Sequence, residues 1–346
     1  MSDRISFLND YNMVAHPAII KAVADASERR YDGYGTDEET SLAKAEIKEH
    51  IEIGDADVHL LSGGTQANLV AASAFLRPYE AVIAAETAHI YVHETGAIEA
   101  TGHKVLPRKT KDGKLRPEDV ESEARAHADE HMVKPAMVYI SQATEYGTVY
   151  SKDELLAIKD ACAKHGMLLY VDGARLGYAI TSGDPYPFTM NDVAAVADAF
   201  CIGGTKQGLL FGEALVICNP ALTKDFRYML KQNGALLAKG FLLGIQFRAI
   251  FRNGLYYTLS ERANFMAGKI REGVAELGYG FEIDSVANQV FPVLDNAAIT
   301  ELEKGFLFEK WHEVSDEQSS IRLTTTWATS DDDVGALLDA LARSAG

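Results

Sequence analysis

The chain has 346 residues, 47 % hydrophobic and 24 % charged, which exceeds one average domain and supplies ample material for a core. Fifty acidic against 33 basic residues leave a formal charge of −17, and such a surface repels a phosphate backbone, so nucleic acid is not an expected partner. Three cysteines are too few for a disulfide framework. No stretch nears the roughly 20 apolar residues of a membrane span, and residues 1–10 show no secretory pattern, so a cytoplasmic protein without membrane association is expected.

In chain order, Thr36 with Glu39 reads as a helix start. From Asp57 to Cys218, short apolar runs alternate with amphipathic stretches, predicting strands at 58–61, 81–85, 104–106, 136–140, 168–171, 199–202 and 214–217. Continuous runs of this kind suit strands covered on both faces. Pro117 followed by Glu118 and Asp119 opens one helix, while Ser151 with Glu154 opens another that Gly166 closes. This alternation predicts an α/β fold, a mostly parallel seven-stranded sheet with helices on both faces. Long helices are expected from Pro220 through Leu277. Strands at 289–294 and 320–326 then flank a helix at 297–304, and a last helix begins at Ser330 with Asp333 as capping partner. The reading is a large α/β domain with an N-terminal arm over 1–249 and a small α+β C-terminal domain over 250–346. Cys162, Cys201 and Cys218 fall in apolar or helical patterns and read as buried, reduced thiols.

Ligands of open α/β sheets gather where parallel strands end, so polar residues just past each run carry the interest. Ser62-Gly63-Gly64-Thr65-Gln66-Ala67-Asn68 leads from a strand into a helix, where bare backbone amides can meet an anion. It reads equally as a tight turn with Thr65 as cap. Glu86-Thr87-Ala88-His89 places a histidine able to lie on an aromatic ring or move a proton. His93 and Glu94 nearby lack further ligands at sensible spacing, so no metal is expected. Tyr170-Val171-Asp172-Gly173-Ala174-Arg175 ends a buried run with a carboxylate, which by itself reads first as a strand-end ion pair. Gly203-Gly204-Thr205-Lys206-Gln207-Gly208 sets a lysine among glycines, where desolvation would free its amine for imine formation. Asp172 and Lys206 are spaced by one helix and one strand, so both can reach one crevice.

At these residues the sequence resembles the threonine aldolases, in the β-eliminating-lyase group of the aspartate-aminotransferase fold class (fold type I) of pyridoxal-phosphate enzymes. The likeness runs from Asn9-Asp10 and Gly33-Tyr34-Gly35 through the motifs above to Ile321-Arg322-Leu323. It implies pyridoxal 5′-phosphate as cofactor, bound as a Schiff base on Lys206, with Gly64 and Thr65 at its phosphate. His89 would stack on its ring, Asp172 would face the ring nitrogen, and Arg175 would lie near the ring oxygen or the substrate carboxylate. Arg322 would clamp that carboxylate, with Asn9 and Tyr34 also at the substrate. Self-association into a dimer or tetramer is implied too, the active site lying at the subunit interface with Tyr34 and a basic residue near Lys239 contributing across it.

Three places depart from the family's usual pattern, one being the helical region 231–240, which differs from the familiar glycine-rich version. Leu8-Asn9-Asp10-Tyr11 stands where Arg-Ser-Asp-Thr is common, and Glu145 follows Thr144 where a histidine is common. Glu145 is therefore expected to line the side-chain pocket and meet the substrate hydroxyl, a solvated loop acid being the plainer reading. The expected reaction is retro-aldol cleavage of threonine, allo-threonine or a phenylserine type to glycine and an aldehyde. Alternatives are β-elimination, racemisation or amino transfer on the same cofactor, or a non-catalytic cofactor-binding protein. A nucleotide-binding α/β protein lacks both a Walker loop and a dinucleotide fingerprint here.

Overall fold

The seven apolar runs fold as β1 Asp57–Leu61, β2 Glu80–Ala85, β3 Lys104–Arg108, β4 Lys134–Ser141, β5 Leu168–Asp172, β6 Ala199–Gly203 and β7 Glu213–Ile217, in a computed structural model that describes residues 4–183 and 187–344. They form one sheet in the order β1-β7-β6-β5-β4-β2-β3. β6 and β7 are buried at every position, and β2 and β4 at all but the first, so both faces are covered and no polar alternation is needed. The pairs β2/β3, β2/β4, β4/β5 and β5/β6 are parallel. β7 alone runs against both of its neighbours, β6 and β1. Its first residue, Glu213, therefore sits opposite Gly203 and Leu61, at the edge where the parallel strands end.

Helix boundaries follow their local chemistry. Ser151 and Glu154 satisfy each other's backbone at the start of the helix Lys152–Lys164, and Gly166 follows its end at φ +66°. Pro117 opens the helix Pro117–Ala126. The start expected at Thr36 lies one residue later. Asp37 caps the helix Glu38–Ile51, its Oδ1 accepting from Thr40 N at 2.8 Å, while the Thr36 hydroxyl turns back to Gly33 O. Likewise Gly63, not Thr65, occupies the N-cap of the helix Gly64–Phe75, with no side-chain cap. Beyond Pro220 the long helical pattern is cut into Pro220–Leu222, Phe226–Gln232, Phe241–Phe251 and Leu255–Glu276, with Gly234 and Gly254 at positive φ in two of the breaks.

The C-terminal strands are β8 Gly280–Ile283, β9 Gln289–Asp295, β10 Glu309–Glu313 and β11 Gln318–Thr324, an antiparallel sheet in the order β10-β11-β9-β8. The expected strands correspond to β9 and β11, the latter ending at Thr324 and not at Thr326. The edge strands β8 and β10 escape the hydropathy pattern because most of their residues are not buried. Ser330 and Asp333 exchange the capping bonds that start the last helix, Asp331–Ser344. A second core forms here from Phe7, Ile270, Val290, Leu323 and Leu337. The helix Leu255–Glu276 serves both cores, with Tyr256 and Ala263 in the first and Met266, Ile270 and Val274 in the second. All three cysteines are free; Cys162 and Cys201 are buried, whereas Cys218 is half-buried. Among the described residues, no helix is long and apolar enough to cross a membrane.

Candidate active site

Two glycines bring the chemistry-bearing strand ends together. Gly203 N donates to Gly173 O at 2.8 Å. A Cβ on Gly173 would lie 2.0 Å from the Cys201 carbonyl oxygen, and one on Gly203 2.3 Å from that of Ala174, so neither position accepts a side chain. The chain then turns as Gly204 N and Thr205 N both donate to Gly212 O at 3.1 Å. This turn delivers Lys206 to a cavity of about 260 Å³ that Gly64, Thr65, His89, Glu145, Asp172 and Arg175 also line. Ser62, Gly63, Ser141, Phe211 and Glu213 complete much of its wall.

The site's charges are deeply placed. Asp172 Oδ2 accepts from the Tyr139 hydroxyl at 2.5 Å and Asn68 Nδ2 at 3.0 Å, and its Oδ1 accepts from Ala174 N at 2.9 Å. Burial pushes its pKa up, but the Tyr139 hydroxyl, His89, Asn68 and the Ala174 amide outweigh it and hold the carboxyl below the ordinary aspartate value. Asn68 also donates to Glu94 Oε1 at 2.8 Å, and that same oxygen lies 2.7 Å from His89 Nδ1. His89 and Asp172 are thus joined through Asn68 and Glu94.

Lys206 Nζ has no hydrogen-bond or ion-pair partner among the described residues. Burial first, then Arg175, lowers its pKa against the opposing pull of Asp10, Asp172 and Glu213. Glu213 is buried and accepts from Gly204 N at 3.2 Å. Burial raises it to about 8, despite the nearby Lys206. Glu145 accepts from His89 N at 2.9 Å and from the Ser141 hydroxyl at 2.8 Å; burial raises its pKa too. It is therefore a buried cavity-lining acid and not a solvated one.

These residues fit pyridoxal phosphate. The helix Gly64–Phe75 points its N-terminus at the cavity without a side-chain cap, and a Cβ at Gly63 or Gly64 would meet only open space. That leaves a cradle of amides with positive potential for a phosphate group. An unpartnered amine and a hydrogen-bonded carboxylate share the same cavity, the donor set that an aldehyde-bearing pyridine ring requires.

The remaining candidates lie elsewhere. Asn9 accepts from Tyr11 N at 3.1 Å and does not line the cavity; its neighbour Asp10 is the residue that meets the cavity-lining Arg175. Asp10 is buried and takes Arg175 Nε and Nη2 at 2.8 and 3.0 Å. Arg322, on β11, is ion-paired with Glu309. Arg175 and Asp10 are among the charges that act on Arg322, so it stands close to this cluster. Tyr34 is exposed, at φ +61°, with Lys231 Nζ 4.4 Å from its ring centroid, and lines a different, smaller cleft. Lys239 is exposed.

The model of the β-eliminating lyase family matches residues 7–303. A low-specificity L-threonine aldolase of Pseudomonas aeruginosa is 36 % identical over 296 residues, covering 84 % of this chain and 85 % of that protein. A solved structure of Leishmania major threonine aldolase aligns with a TM-score of 0.97 and 44 % identity, over 99 % of this chain and all of that one. Aspartate aminotransferase from Thermus thermophilus shares the fold alone, at 16 % identity and a TM-score of 0.70 over 99 % of this chain and 91 % of that one.

Proposed function

We propose, from the premise that the chain belongs to the β-eliminating lyase family, that it is a pyridoxal-phosphate-dependent carbon–carbon lyase splitting threonine or a related β-hydroxy amino acid into glycine and an aldehyde. Bound at Lys206, the cofactor supplies an electron sink for the pair released at the substrate's α-carbon. The observation that carries the reading is the meeting of an unpartnered, desolvated Lys206 amine with the triply hydrogen-bonded Asp172 carboxylate in one cavity.

The chain's own residues would divide the work as follows. Lys206, its proton affinity lowered by burial, offers the amine to which the cofactor attaches. Asp172, held ionised, keeps a proton on the pyridine nitrogen, while Tyr139 and Asn68 fix the carboxylate in place. Gly64 and Thr65 receive the phosphate, and His89, tied to Glu94, forms the neighbouring wall. Glu145, with its raised pKa, takes the proton of the substrate's β-hydroxyl. Arg175 and Arg322 receive the substrate carboxylate, with Asp10 anchoring Arg175 from the N-terminal arm.

Self-association, with Tyr34 and Lys239 of a second copy at the site, is supported by the exposed apolar side chains of Tyr11, Met13 and Val14 beside the arm. The unpaired cysteines support a cytoplasmic setting. A domain boundary near residue 250 is supported by the backbone break at Asn253 and Gly254.

Incubation with threonine, and in reverse with glycine and a panel of aldehydes, tests the reading. Glycine and acetaldehyde are expected from threonine, and β-hydroxy amino acids from the reverse mixture. A 2-oxo acid with ammonia, or a racemised amino acid with its carbon chain intact, would overturn it.

A further inference from the structure

The two guanidiniums assigned to the substrate carboxylate differ in what they have left to give. Arg175 spends Nε and Nη2 on Asp10, whose side chain is fully buried and is also held by Asn288 Nδ2 at 3.0 Å. That pair is built into the fold. Arg322 faces Glu309 directly across the β10/β11 ladder, its Nη2 ion-paired with the Glu309 carboxylate and its Cζ 5.3 Å from the centroid of the Trp311 ring. Arg322 Nε is buried and has no hydrogen-bond partner. An arginine fork meets a carboxylate best through two parallel bonds, so one buried nitrogen without an acceptor marks a place for one more oxygen. Glu309 is 37 % exposed against 15 % for Arg322, so its side chain can turn to water without stranding a buried charge.

We propose that Glu309 is a positioning residue that holds Arg322 in the ligand-free protein and yields it to the carboxylate of the incoming amino acid, thereby setting the apparent affinity for substrate. The inference rests on the reading above that Arg322 binds that carboxylate. In the exchange the substrate takes the unpartnered Nε edge together with a terminal nitrogen, and Glu309 becomes solvated. Arg322 remains neutralised throughout, whereas the free energy of the Glu309 contact is subtracted from substrate binding. Asp10 cannot act in this way, because its carboxylate has no route to water.

Steady-state kinetics of the holoenzyme with threonine, for Glu309→Gln, Glu309→Ala, Arg322→Lys and the double variant Glu309→Gln/Arg322→Lys, test the proposal. Loss of a half-exposed ion pair should lower KM about three- to fivefold in both Glu309 variants while kcat stays within about twofold. Glycine, followed through the cofactor's visible absorbance, should bind more tightly by the same factor. The gain should vanish in the Arg322→Lys background. An unchanged or higher KM in both Glu309 variants, or a gain that survives in the double variant, overturns the role of Glu309. If Arg322→Lys raises KM but the Glu309 variants do not lower it, only that role fails. If Arg322→Lys leaves KM unchanged, the carboxylate assignment falls with it.

Discussion

Asp172 at the end of β5 and Arg322 on β11 each carry one charge on a strand, but the two sheets hold those charges differently. Asp172 receives three hydrogen bonds from buried or backbone donors, beside two glycines that no side chain could replace. Arg322 has a single half-exposed counterion and an unpartnered Nε. Groups that act on the cofactor stay fixed through every turnover, so a rigid parallel sheet suits them. A group that binds and releases substrate must exchange partners, and a solvent-edged hairpin permits that.

The largest effect that could break this contrast is at Asp172. Asp172→Asn keeps the side chain's size but removes the charge proposed to hold a proton on the ring nitrogen. With cofactor content retained, kcat is expected to fall by about 10²–10³. Near-normal turnover at full cofactor occupancy would show that the fixed carboxylate is structural.

Glu213 tests the same rigidity through stability. Its pKa is raised to about 8 in the folded protein, against an ordinary value of 4.5. Between these values the folded state binds the extra proton, so stability falls as pH rises from about 4.5 and levels off beyond about 8. In cofactor-free protein, Glu213→Gln should escape this loss, so its stability relative to the wild type should rise steadily between pH 5 and 8. Parallel stability profiles for the two proteins would remove Glu213 from the set of fixed, desolvated groups. The smallest effect is the severalfold fall in KM on replacing Glu309, and it sharpens the other half of the contrast.

The parallel core was legible because strands covered on both faces must be apolar throughout. Lys206, Asp172 and His89 were legible because they follow such strands. Glu213 was missed because β7 runs backwards and its first residue, not its last, meets the site; hydropathy carries no sign of strand direction. Asp10 stands in the Asn9-Asp10 motif, but nothing local shows that it, and not Asn9, turns towards Arg175. Tyr139 lies inside β4 and Asn68 inside a helix, so only packing brings them to Asp172. β8 and β10 were missed because edge strands with few buried residues lack an apolar run, and with β10 went the Glu309 contact.

Lys206 is the proposed point of cofactor attachment, on which every other assigned role depends. Borohydride reduction of the purified holoenzyme, followed by peptide mapping, tests that directly. The expected result is one reduced cofactor–lysine linkage, on Lys206, that is absent from Lys206→Ala. A linkage on any other lysine, or undiminished labelling in Lys206→Ala, would contradict it.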